Sequence, residues 1–205
     1  LTKVLSIANY GLKAVDIDVE VNLAKKGFPG IGIVGLVSKT AEETKERVKT
    51  AIINSDIDFP QAKITINLAP ADLPKNGACY DLPIAVGILS CMEEIILPKN
   101  KAYFYGELSL DGSLRHTKGV FLLALQAKEM GIKNIFVPRL CAAEAAVIEG
   151  INVFPIDNLI SLVRHLKNEK LIEPLKLLIK KNYLVIFILN LIFLKFLVRI
   201  KPKEL

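Results

Sequence analysis

Tryptophan is absent from the 205 residues, histidine occurs only at His116 and His165, and cysteine only at Cys79, Cys91 and Cys141. With no Cys-x-x-Cys pair and so few imidazoles, a zinc centre would need an unusual ligand set, and no metal site is expected. An odd number of widely spaced thiols reads as free cysteine in a reducing compartment. No charged-then-apolar leader opens the chain, so a cytoplasmic location is expected. A phosphate loop of the form GxxxxGK[ST] is missing too, since no Gly-Lys pair precedes Ser or Thr anywhere. Nucleotide hydrolysis, and with it any cofactor, is therefore not expected of these residues. The net charge of +6 is unevenly placed: residues 1–170 hold 20 basic and 19 acidic side chains, whereas 171–205 hold 7 and 2. A strongly basic nucleic-acid face is thus not expected of the first 170 residues.

What the chain has is apolar periodicity, at a mean hydropathy of +0.40. Val15 to Leu23 alternates apolar and polar without a break, the period of a half-buried strand. Ile31 to Leu36 reads as a second strand after a Gly-Phe-Pro-Gly turn. Thr40 to Glu43 has the spacing of a capping box, opening a helix to about Asn54 with Val48 and Ile52 inward. A strand from Ile64, a Pro/Gly loop and a helix over Leu82 to Met92 follow. Ala102 to Leu108 predicts a strand, and Asp111-Gly112 a turn into a short partner at Ser113 to Arg115. Helices are expected over Lys118 to Met130 and Ala142 to Glu149, and strands over Asn134 to Val137 and Asn152 to Pro155. Asp157 is placed to cap a last helix ending at Lys167. Early paired strands followed by strand and helix alternation predict one α+β (mixed α/β) domain over residues 1–170.

Two segments invite a chemical reading. Gly30-Ile-Gly32-Ile-Val-Gly35 matches the dinucleotide fingerprint GxGxxG, but Lys25-Lys26-Gly27-Phe28-Pro29 precedes it instead of an apolar strand. Its glycines are therefore read as strand and turn residues. The stretch from Ile64 to Leu89 sets Asp72 and Asp81 at the edges of a constrained loop. As a pair they would suit acid-base work or magnesium. Because Asp81 precedes Leu82-Pro83, where proline suits a first helical turn, its expected role is to cap unpartnered amides, with Asp72 doing the same for the loop.

Glu46-Arg47-Val48, Thr65 to Leu73 with Pro70 and Asp72, Lys75-Asn76-Gly77, Asp81-Leu82-Pro83-Ile84-Ala85, Gly106 to Gly112 with Glu107, and Gly131 to Pro138 occur in an order that resembles the YifB/ComM family. These are magnesium-chelatase-like AAA+ ATPases, and the similarity is to their N-terminal ChlI-type domain over about residues 3–167. The resemblance implies a ribosomal S5 domain 2-like fold, as in the Lon protease domain. In the intact family it further implies ATP and Mg²⁺ held by an AAA+ module, ring-shaped homo-oligomers, and DNA branch migration during natural transformation. Lon-type peptidases pair a loop serine with a lysine on the helix that follows Gly-Glu. Here those positions fall on Cys79 and Phe121. Phenylalanine cannot take a proton from a nucleophile, so the resemblance implies no catalytic residue, and a non-catalytic accessory domain is expected. A residual peptidase using Cys79, with Lys118 as the cation nearby, is the alternative.

Tyr183 to Val198 carries thirteen Leu, Ile, Phe or Val residues, interrupted by Asn190 and Lys195. A membrane anchor is one reading, since spans need about 20 apolar residues with a lower range near 17. Basic residues flank both ends and give no orientation, and membrane association is not expected. Asn190 to Leu205 admits a codon choice whose shifted frame contains the Gly-Gln-Asp and Ala-Lys of the family's linker. The expectation is therefore that residues 171–205 are an out-of-frame remnant of the linker to the AAA+ module.

Overall fold

In the computed structural model the described residues are 1–175, apart from 12, 25 and 76. The expected segment Tyr183 to Val198 lies outside them. The elements run β1 (Thr2–Tyr10), β2 (Lys13–Ala24), β3 (Gly30–Val34), α1 (Ser38–Ile53), β4 (Lys63–Ala69), α2 (Asp81–Cys91), β5 (Ala102–Phe104), β6 (Glu107–Leu108), β7 (Leu114–Arg115), α3 (Val120–Glu129), β8 (Asn134–Pro138), α4 (Arg139–Ala146), β9 (Asn152–Ile156) and α5 (Leu159–Leu166). Seven strands form one sheet in the order β3-β4-β2-β1-β5-β8-β9, and β6-β7 form a small hairpin. β1, β2 and β4 are antiparallel, whereas β3 joins β4, and β5, β8 and β9 follow β1, in parallel. The mixed α/β class read from the sequence is the class observed.

The alternation in β2 has a direct outcome: Ile17, Val19 and Val21 are fully buried, while Asp16, Asp18 and Glu20 share the other face. The buried face is covered by α2, which approaches so closely that a Cβ on Gly87 would lie 2.5 Å from Val21 Cγ2. Nine of the eleven residues of α2 are buried, so this helix is apolar all round and forms the centre of the domain. Further along the same face, Phe104, Phe136 and Phe154 stack across β5, β8 and β9 at centroid spacings of 4.7 and 4.8 Å, and His165 of α5 packs on the last two. On the opposite face α3 is tied to β2, where Asp16 accepts hydrogen bonds from Tyr103 (2.6 Å) and Gln126 (2.7 Å).

Several boundaries differ from the sequence reading. β1 was not expected; its apolar residues do not alternate, because Ser6, Ile7 and Ala8 are all buried in the middle of the sheet. No capping box forms at Thr40, since α1 already starts at Ser38 with Val37 as its uncapped N-cap. Ala102 to Leu108 is not one strand: the chain turns at Tyr105-Gly106 between β5 and β6. α4 starts at Arg139, three residues before the expected Ala142, directly after Pro138. The last helix is capped by Asn158, not Asp157: the Asn158 side chain accepts from the Ser161 amide at 2.9 Å, and Asp157 instead pairs with Arg139.

The fingerprint glycines are strand and turn residues. Gly30 and Gly32 lie in β3, and Gly35 ends it at φ +93°, where a Cβ would stand 2.6 Å from the Leu68 carbonyl oxygen. Among the described residues no helix is long and apolar enough to cross a membrane.

Candidate functional site

β4 delivers the chain at Ala69 into the loop that ends at Tyr80, and α2 starts at Asp81. The loop is organised around a lysine. Lys75 is only 4% exposed, and its ammonium donates to the carbonyls of Pro70 and Leu73, the latter at 3.1 Å. Burial lowers its pKa from the ordinary lysine value, and the Asp72 carboxylate opposes that shift. Asp72 itself is exposed. Gly77 adopts φ +88°, the half of the map that glycine enters without penalty.

Asp81 faces a different environment. Its side chain is fully buried, and its carboxylate accepts Arg47 Nε at 2.7 Å, Arg47 Nη2 at 3.3 Å and the Leu108 amide at 3.3 Å. The expected capping role is therefore corrected: Asp81 is the first helical residue, and no side chain caps α2. Its oxygens are directed to the α1 guanidinium, which needs a charged partner more than the helix amides do. Burial pushes the Asp81 pKa up to about 6, against the pull of Arg47, the Leu108 amide and Thr44. Pro83 lies buried in the first turn of α2.

Asp72 and Asp81 are not brought together as a carboxylate pair: one lies at the surface beside Lys75, the other is sealed against Arg47. Among the described residues no three His, Cys, Asp or Glu side chains are grouped to hold a metal ion.

Cys79 sits where the loop meets the turn after β5. Its carbonyl accepts the Gly106 amide at 2.9 Å, and the Gly106 carbonyl accepts the Leu82 amide at 3.0 Å. Gly106 is required for this lacing, since a Cβ there would meet Leu114 at 3.0 Å and Pro138 at 3.1 Å. Glu107, next along, donates its amide to Thr117 Oγ1 at 3.1 Å and has its carboxylate 3.9 Å from Arg115.

The thiol of Cys79 is buried beside the hydroxyls of Tyr105 and Tyr80, which are its hydrogen-bonding neighbours, and burial pushes its pKa up to about 12. The Asp81 carboxylate raises that pKa further. Tyr105 then links the loop to α3: its hydroxyl donates to the Lys118 carbonyl at 2.9 Å and accepts from Asn9 Nδ2 at 2.9 Å. The chain thus brings Cys79 to the N-terminal end of α3, with a tyrosine between them. Lys118 joins the network through its backbone, while its side chain is exposed. Phe121, on the first turn of α3, is half-buried. A thiolate nucleophile needs a cation or base beside it, and the neighbours that act on this thiol include two phenols and a carboxylate.

Sequence reasoning missed Asn9, Tyr105 and the Arg47–Asp81 pair. Arg47 stood in a quoted motif, and its i+3 relation to Thr44 on a helix was legible; its reach across 34 residues to Asp81 was not.

Residues 19–140 match the family model described as subunit ChlI of Mg-chelatase. The chain is 42% identical to YifB of Salmonella typhimurium over 167 residues, 81% of this chain and 33% of that protein. It is 36% identical to the competence protein ComM of Haemophilus influenzae over 171 residues, 83% of this chain and 33% of the relative. To the Lon protease of Clostridioides difficile it is 29% identical over 140 residues, 63% of this chain and 17% of that enzyme. The chain spans about a third of the length of the curated YifB and ComM relatives.

Proposed function

Since the chain belongs to the magnesium-chelatase-like YifB/ComM family, we propose that its first 170 residues are a non-catalytic accessory domain that engages substrate for, or assembles with, an AAA+ module. In the intact protein that module binds ATP and Mg²⁺, forms a homo-oligomeric ring, and acts in the cytoplasm in DNA branch migration during DNA uptake. The observation that carries the non-catalytic reading is the state of Cys79. The thiol at the position of the Lon nucleophile is buried, has its pKa raised to about 12 and faces Tyr105, with phenylalanine at position 121 in place of lysine.

Deleting the stretch equivalent to residues 1–170 from an intact YifB/ComM-type protein tests the reading. ATP hydrolysis by the truncated protein is expected to persist, while its branch migration on DNA is lost. Unchanged branch migration after the deletion overturns the accessory role. Peptide hydrolysis by this chain that disappears in Cys79→Ala overturns the non-catalytic one.

A further inference from the structure

The two edges of the large sheet are treated differently. At β9 the chain covers its own edge, because the Leu175 amide donates to the Val153 carbonyl at 2.8 Å. At β3 nothing among the described residues pairs with the outer side of the strand. Natural edge strands are guarded by charges, prolines or bulges. Gly27 to Val37 contains no charged residue, and its one proline, Pro29, precedes the strand. Three large apolar side chains stand out from this short stretch: Phe28 is 95% exposed, Val34 57% and Val37 68%.

The hydrogen-bond pattern fixes which groups are free. The Gly30 amide donates to the carbonyl of Ala62, the residue just before β4, so in a parallel ladder Gly30, Gly32 and Val34 direct their backbone groups inward, and Ile31 and Ile33 direct theirs outward. We propose that β3 pairs antiparallel with β3 of a second copy of this chain, with Gly32 facing Gly32 across a two-fold axis.

In that register Ile31 of each copy exchanges both backbone bonds with Ile33 of the other. The exposed Val34 falls opposite Gly30, which leaves room for it, and Phe28 falls opposite Leu36. Gly30 and Gly32 share the uncovered face with exposed Lys63 and Thr65 of β4 and bring no side chain of their own to the seam. A neutral strand meets a neutral strand, and no like charges oppose each other within it. The strand is self-complementary in this register, since exposed Val34 meets Gly30 on both sides of the axis and glycine meets glycine at its centre. The inference does not depend on the motor-accessory reading above.

Sedimentation of the full chain over roughly 1–200 μM, together with disulfide trapping, tests it. The wild type is expected to dimerise. Gly32→Lys sets two ammonium groups face to face and is expected to weaken the dimer roughly tenfold or more. The monomer tolerates this change, since a Cβ at position 32 meets only Ile64 O at 3.9 Å. Gly32→Cys is expected to crosslink rapidly as a homodimer, because non-hydrogen-bonded antiparallel pairs hold their Cα atoms about 4.5 Å apart, within disulfide range. Val34→Cys, which falls opposite Gly30, is expected to crosslink slowly. A wild type that stays monomeric, a dimer that survives Gly32→Lys, or equal crosslinking by the two cysteine variants overturns the proposal. So does a monomer whose β3 edge takes up an uncharged extended peptide instead.

Discussion

Arg47 on α1 holds Asp81, the first residue of α2, through two hydrogen bonds of 2.7 and 3.3 Å to a carboxylate with no solvent exposure. The pair fastens the outer helix to the central one directly beneath the Cys79 loop. Removing one partner leaves a charge in the core, which costs about 3–5 kcal/mol, whereas replacing both with apolar residues of similar volume costs much less. Urea unfolding is therefore expected to rank Arg47→Met well below the Arg47→Met/Asp81→Leu double variant in midpoint. The ranking would be wrong if the two were equally unstable.

The same pair carries a pH signature. The folded-state pKa of Asp81 lies at about 6, above its ordinary value of 3.8. Its contribution is thus fully present below the lower value and is lost as pH rises through the upper one. In Arg47→Met the pull toward ionisation is gone, so the shift grows. The stability deficit of that variant relative to wild type is expected to shrink as pH falls from 7 to 5, read as converging urea midpoints.

Gly35 and Gly30 belong to one fingerprint but are not equivalent. A Cβ at Gly35 enters the Leu68 carbonyl at 2.6 Å with φ at +93°, while one at Gly30 meets nothing within 4 Å. Gly35→Ala is expected to cost more than about 2 kcal/mol from clash and positive φ together. Gly30→Ala is expected to stay within about 0.5 kcal/mol of wild type, as surface changes do. Equal effects would mean that the backbone at Gly35 relaxes freely.

Elements whose local pattern agrees with their tertiary environment were legible before the structure. β2 alternates because one face is sealed by α2 and the other stays polar and half-exposed, and the fingerprint glycines lacked the apolar strand that a nucleotide site needs. β1 was not legible, because both its faces are covered around Ile7 and the polar Ser6 is buried with them. Asp81 was read as a cap because Leu82-Pro83 announces a helix start, and helix starts favour acids. What overrode that preference was an arginine far away in sequence, whose charge demanded the carboxylate. Motif order places Cys79, Gly106 and α3 in succession, which is the order in which the loop, the turn after β5 and the helix meet. Tyr105, which joins them, carries no signature that separates it from any other strand-end aromatic.

His165 reports on the segment after α5. Its Nδ1 accepts the Ile172 amide at 3.0 Å, and its ring packs on Phe136 and Phe154. Burial lowers its pKa below the ordinary 6.5. Neutral His165 is needed to accept that bond, so the contribution is present above 6.5 and is lost as pH falls through the folded value. After correction for intrinsic rates, amide exchange at Ile172 and Leu175 is expected to accelerate between pH 7 and pH 5. In His165→Phe the same amides should show no such dependence. A pH effect that persists in the variant would assign the docking of this segment to another group.

The thiols test the reading of the Cys79 pocket. With its pKa at about 12, Cys79 holds on the order of one thiolate in ten thousand at pH 8, and Cys141, raised to about 11, is also buried. An aromatic disulfide reagent is expected to leave both unmodified in the native protein and to label them once urea unfolds it. Tyr105→Phe removes the hydroxyl that serves Asn9, Lys118 and Cys79 together, and stranding these groups is expected to cost about 1–3 kcal/mol. Because the lost phenol also lowers the thiol's pKa against burial, Cys79 in the native variant should label no faster than in the wild type, as identified by peptide mapping. Fast labelling of Cys79 in the wild type would instead mean that the pocket opens to solvent and that its thiol is available for chemistry.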